Sequence, residues 1–245
     1  MDKQLTVATL SLLFANSALG QELLLHLPLD GDLANSGTIA AAPELYVDSG
    51  EPEPAFTEGH SGQALMFDSR ATIAVPFTLD HDLYPVVTIT AWVRQGLSAS
   101  GTRAVFSSGS DAGASLGIGG RLTAKAGRQR VNFDEDMPRG EWVFVAVVID
   151  IANRYARLHQ NDKVLLAEDL DTRAKLPDEY PRPDDPDGTR QSYLFIGSHT
   201  FQNWQQTDRR ITFDDVRLYS GGLTVEQVNA IRDAAPVEQV SDTES

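Results

Sequence analysis

The chain contains no cysteine, which removes disulfides, thiolate nucleophiles and cysteine metal sites from consideration. Basic residues are scarce: 20 Lys and Arg stand against 35 Asp and Glu, for a formal net charge of −15. A phosphate-backbone partner needs a basic face, so nucleic acid is excluded, and adsorption to anionic lipid is excluded on the same ground. The histidines His26, His60, His81, His159 and His199 do not pair at helical or hairpin metal spacing, so a zinc site has no support. No Ser-His-Asp arrangement is read from the sequence. No Asn-x-Ser/Thr glycosylation acceptor occurs, and no run beyond the N-terminus approaches membrane-spanning length.

What the chain does have is enough apolar material, 41% of 245 residues, to build one large domain. Its first residues read as an export signal. Lys3 gives a minimal positive region, Leu5 to Ala15 is apolar but too short to span a bilayer, and Ala18 and Gly20 hold the small-residue positions before a cut between Gly20 and Gln21. Residues 1–20 are therefore expected to be a signal peptide. The mature chain is expected to be secreted, periplasmic or on a cell surface, with no membrane insertion after cleavage. An exported chain without cysteine or glycosylation acceptors leans toward a bacterial source.

Short strands dominate the rest. Val86 to Arg94 alternates with period two, Val87, Ile89, Ala91 and Val93 on one face and Thr88, Thr90, Trp92 and Arg94 on the other. Trp142 to Ile149 is apolar on both faces and reads as a central buried strand. Arg154–Gln160 and Lys163–Leu166 flank Asn161-Asp162, a pair suited to a two-residue hairpin turn. Further strands are read at 23–29, 64–67, 71–75, 103–108, 115–122 and 193–197, with residues 40–60 as an exposed connection. Ile211 to Tyr219 is an alternating strand, with Asp214 counted on the same face as Val216 and Leu218, where a carboxylate needs a partner. After Gly221-Gly222, Thr224 and Gln227 form a capping-box pattern ahead of the Val225, Val228, Ile231 stripe, predicting one helix over 224–233. The pattern is all-β: a two-sheet antiparallel jelly-roll sandwich with a short C-terminal helix. The domain is placed at 21–235, with 236–245 a disordered acidic tail.

Six segments, in order, carry a resemblance: LPLDGDLANSG, GHSGQALMFDS, VTITAWVR, GEWVFVAVVID, YARLHQNDKVL and FDDVRLYSGGLTVEQVNAI. Together the chain resembles the laminin-G-like jelly rolls of the concanavalin A-like lectin/glucanase superfamily. That resemblance implies a fold far more firmly than a function. It implies a structural Ca²⁺ between the opening turn and the closing strand, with Asp30, Asn35 and Asp214 as ligands. The alternative is that Asp30 and Asp214 accept hydrogen bonds from turn amides.

The resemblance also implies glycan binding through an exposed ring beside polar groups. Trp204 and Phe201, in the polar loop TFQNWQQTD, and Tyr180, in the Pro- and Asp-rich insertion, are the candidates, whereas Trp92 and Trp142 read as core. The superfamily's glucanases use Glu-x-Asp-x-x-Glu, which Asp134, Glu135 and Asp136 do not reproduce, and these three read as a solvated acidic loop. Asp184, Asp185 and Asp187 likewise read as a solvated loop, since Pro183 and Pro186 spoil calcium-loop spacing. The expected function is a non-catalytic module for an extracellular glycan or surface protein. The alternatives are a structural or adhesive envelope protein packing against other subunits and, more distantly, a polysaccharide hydrolase or lyase.

Overall fold

The structure, a computed structural model, describes residues 21–48, 50, 53–67, 70–97, 103–109, 114–172, 178–201 and 210–234. The expected signal peptide, the expected tail and Trp204 lie outside these residues. The described chain forms β1 (Glu22–Leu27), β2 (Glu44–Val47), β3 (Ala55–Glu58), β4 (Gln63–Phe67), β5 (Ala71–Pro76), β6 (Val86–Gln95), β7 (Arg103–Ser107) and β8 (Ala114–Ile118). There follow β9 (Arg121–Ala126), β10 (Gln129–Asp136), β11 (Trp142–Asp150), β12 (Tyr155–Gln160), β13 (Lys163–Ala167), β14 (Tyr193–Ile196), β15 (Ile211–Ser220) and α1 (Val225–Arg232).

Two antiparallel sheets result. One runs β13-β12-β11-β6-β15-β4-β3, with β1 also on β15; the other runs β10-β9-β8-β7-β14-β5-β2. The expected sandwich with one short helix is thus what the chain forms. Alternation sets the layers. Val87, Ile89, Ala91 and Val93 enter the inter-sheet core with Val143, Val145, Val147 and Ile149 of the neighbouring β11. The opposite face of β11 is also covered, because Phe144 and Ala146 pack with Tyr219, Leu223 and Val228 beneath α1. This is why Trp142 to Ile149 reads as apolar on both faces. The helix is fixed by its capping box: Gln227 N–H donates to Thr224 Oγ1 at 3.2 Å and Thr224 N–H to Gln227 Oε1 at 2.8 Å. Asn161, at φ 54°, turns the β12–β13 hairpin.

Three expectations are corrected. Residues 40–60 are not merely a connection, since β2 and β3 lie within them as edge strands. The run 115–122 is two strands, β8 and β9, broken by a turn at Gly119-Gly120. Asp134, Glu135 and Asp136 are not loop residues; they end the edge strand β10, where they stay exposed.

The feature that positions the site is a fork at β15. One edge of β15 pairs with β6 along its length. The other edge is divided: Ile211, Thr212 and Phe213 pair with β4, and Val216 to Ser220 pair with β1. Asp214 and Asp215 fall between the two partners, and the register on β6 shifts between Asp214 and Arg217. Asp215 takes a left-handed φ of 51° at this bulge.

Candidate functional site

The bulge reverses the facing expected for Asp214. Phe213 and Val216 both enter the inter-sheet core, so the extra residue puts Asp214 on the outer face, away from Val216 and Leu218. There Asp214 is the cross-strand partner of Trp92 and only 2% exposed. Its Oδ2 accepts the N–H groups of His60 at 2.7 Å and Ser61 at 3.0 Å, in the β3–β4 turn. Asp30 Oδ1 accepts the N–H of Gln63, at the end of the same turn, at 2.7 Å. The loop after β1 and the strand β15 therefore meet at one turn, each holding it through a carboxylate. The turn's glycines are required by this closeness. A Cβ on Gly62 (φ +58°) would lie 2.2 Å from Asp30 Oδ1, and one on Gly59 would lie 2.8 Å from Asp214 Oδ2.

Burial pushes the Asp214 carboxyl up to about 7, against the two amide donors and helped by the charges of Asp215 and Asp30. Asp215 behaves oppositely. Burial raises it, but the hydrogen bond to His26 and the charge of Arg217 outweigh burial and leave it below the usual carboxylate range. Its Oδ1 lies 2.7 Å from His26 Nε2 and accepts Arg217 Nε at 2.8 Å.

Asn35 is not with this group as a ligand. Its Oδ1 accepts the N–H groups of His26 and Gly37, and its Nδ2 donates to Ile39 O, so it staples its own loop to β1.

The rings also depart from expectation. Trp92 and Trp142 are half-buried on the outer face, with Trp92 edge-on to Phe144 at 5.4 Å. His60 stacks on Trp92 with centroids 3.5 Å apart and planes 11° apart, and Arg94 sits 4.7 Å over Trp142. Burial lowers the His60 imidazole, opposed by the charge of Asp215. Phe201, by contrast, is 6% exposed in an aromatic cluster with Tyr46, Tyr193, Phe195 and Tyr180 on the other sheet's outer face. It has no free ring face to offer a ligand. Tyr180 packs edge-on to Phe195, and its hydroxyl donates to Gly109 O, which anchors the insertion to the sheet.

The fork opens into a cleft of about 330 Å³ lined by His26, Asp30, His60, Trp92, Asp214 and Arg217, among others. Two chemical arrangements occur beside it. Ser36 Oγ lies 2.6 Å from His26 Nδ1, so Ser36, His26 and Asp215 form a hydrogen-bonded series absent from the sequence pattern. The amides near Ser36 are already engaged, Ser36 N–H with His26 O and Gly37 N–H with Asn35 Oδ1. They are not available to an oxyanion, and the series acts as a tie between loop and bulge. The adjacent acids Asp214 and Asp215 have opposite shifts, as in an acid/base pair. The Asp215 oxygen is clamped by Arg217 and His26, which suits an anchor better than a nucleophile.

The Laminin_G_3 model of the concanavalin A-like lectin/glucanase superfamily matches residues 68–229. The chain belongs to that superfamily. The matched segment of this lectin/glucanase-type chain includes Trp92 and Asp214, and it leaves Asp30 and His60 outside. No curated protein matches the sequence. Among solved structures, the receptor-binding domain of botulinum neurotoxin C/D mosaic serotype is similar at TM-score 0.59 and 16% identity, over 86% of this chain and 50% of that one. This chain spans about half the length of that toxin domain. A botulinum neurotoxin type C structure, described by its interaction with two ganglioside molecules, gives TM-score 0.58 and 15% identity over 86% and 50% of the two chains. Domain 4 of AbnA, an extracellular arabinanase from Geobacillus stearothermophilus solved with arabinotriose, gives TM-score 0.59 and 17% identity over 86% and 98%. Identities this low speak for the fold alone.

Proposed function

We propose that the chain is an exported, non-catalytic module that binds an extracellular glycan in the cleft at the β15 fork. The observation that carries this reading is the company of Trp92, His60 and the carboxylates of Asp30 and Asp214 around one opening. The stacked His60 and Trp92 rings give the opening an apolar wall for a sugar ring, and carboxylates accept hydrogen bonds from its hydroxyls. The arabinotriose complex of the AbnA domain and the ganglioside description of the toxin support a glycan as the ligand class.

The reading includes a calcium ion held by Asp30 and Asp214. The residues fit this ion in charge and type, since Ca²⁺ takes carboxylate oxygens. Asp214 is a buried acid whose Oδ1 accepts no hydrogen bond among the described residues. A bound ion would supply the counter-charge that two neighbouring acids lack. Asn35 has no part in this site.

The test is isothermal titration of the chain with neutral and sialylated oligosaccharides, with calcium and with chelator. Binding that Trp92→Ala abolishes supports the reading, and a chain that binds no glycan overturns it. The competing packing role rests on the edge strand β13, where Val164 and Leu166 are 43% and 53% exposed. Concentration-dependent sedimentation that Leu166→Lys reverses would favour it.

A further inference from the structure

We propose that α1 is a movable wall of the cleft, and that a proton taken up by His159 beneath the helix releases it. The cleft is closed at neutral pH and loosened in acid, whatever occupies it.

The helix is lightly held. Val228 is its one fully buried residue, packed with Phe144, Ala146, Tyr219 and Leu223. A helix this short depends on its tertiary contacts. Its last turn also shapes the cleft: Ile231 packs in the same cluster as Trp92, and Ile231 and Ala234 line the opening. A lift of that turn moves the cleft wall.

A polar tie to the helix runs through His159. This residue is fully buried on β12, between Ala146 of β11 and Val164 of β13. Arg157 Nε donates to His159 Nε2 at 3.0 Å, and Arg157 Nη2 donates to Leu223 O, directly ahead of the helix cap Thr224. A guanidinium only donates, so Nε2 presents its lone pair and the ring proton sits on Nδ1. Nδ1 has no partner among the described residues. A second proton, on Nε2, removes the acceptor and sets two donors against each other. Arg157 then loses the position from which it holds Leu223.

Charge acts in the same direction. Arg157 and Arg232 both oppose a positive imidazole. Arg232 lies in the last turn of α1, and its Nη1 is a second buried donor without a partner. The acids nearby are directed elsewhere: Asp233 pairs with Arg232, Asp162 acts on Arg232, and Glu226 feels Arg157. The strand neighbours Ala146 and Val164 carry no charge. A proton on His159 therefore pushes against Arg232 and lifts the turn that carries Ile231. Burial and the two arginines hold the imidazole at about 4 beneath the docked helix, against an ordinary 6.5. Docking is fully supported above about 6.5 and weakens as pH falls toward 4.

The test is amide hydrogen exchange of the full chain, corrected for intrinsic rates, and it needs no ligand. The α1 amides, Ile231 among them, should exchange through a local opening that β6 and β11 do not share. Its opening constant should rise about tenfold or more from pH 7 to pH 5. His159→Gln keeps an acceptor for Arg157 but takes no proton, and should abolish the rise. That variant leaves Asp214, which titrates in the same window, untouched and so separates the two groups. Arg232→Met removes one opposing charge and should shrink the rise; it serves where His159→Gln does not fold. Exchange of α1 only together with β6 and β11 makes the release global and overturns the proposal. A rise that persists undiminished in the variant assigns the trigger to another group and overturns it as well.

Discussion

Asp214 is the cross-strand partner of Trp92, and its carboxylate holds the very turn whose His60 stacks on that ring. Acid, turn, imidazole and indole thus close a circuit around the cleft. A change at any one of them should be felt at the others.

Replacing Asp214 by Ala strips the partner from two turn amides, those of His60 and Ser61. Each buried donor left unsatisfied costs about 1–3 kcal/mol, so a loss of roughly 2–4 kcal/mol is expected in urea unfolding. Asp214→Asn keeps an acceptor and should lose less. The tryptophan emission of the Ala variant should also change as the His60 stack loosens.

Gly62 and Gly50 make a contrasting pair. Both have positive φ, but a Cβ on Gly62 would strike Asp30 Oδ1, whereas one on Gly50 meets nothing within 4 Å. Gly62→Ala is expected to cost about 2–3 kcal/mol and Gly50→Ala about 1 kcal/mol. Equal losses in paired denaturation curves would mean that strain, not crowding by Asp30, sets the price at Gly62.

His159 predicts a pH dependence. It is fully buried on β12, and burial together with the charges of Arg157 and Arg232 lowers its imidazole to about 4. Its Nε2 accepts Arg157 Nε at 3.0 Å, and its Nδ1 has no partner among the described residues. The unfolded chain, with an ordinary histidine near 6.5, binds the proton more readily. Stability is therefore fully present above about 6.5 and falls as pH drops toward 4, by up to roughly 3 kcal/mol. His159→Leu should flatten the stability profile between these limits.

Much of the fold was legible in the residues because alternation survives wherever strands run without interruption, as in Val86–Arg94 and Trp142–Ile149. Reading failed where geometry broke the period. Counting by twos across Asp214-Asp215 put Asp214 on the wrong face, since a bulge leaves no sure mark in one sequence. Trp92 and Trp142 looked like core because a ring on an outer face and a ring in a core share the same strand pattern. The meeting of Asp30 with Asp214 was legible through the family resemblance, but the role of Asn35 was not, because its own loop competes for its amide. The Ser36–His26–Asp215 series joins residues far apart in the chain, and no local spacing announces it.

The most direct measurement is an amide and indole NMR titration of the chain, in calcium, with a neutral oligosaccharide. The account predicts that the signals of His60, Ser61, Asp214 and the Trp92 indole N–H shift together and saturably. Shifts confined to residues away from the β15 fork, with these four unmoved, would contradict it.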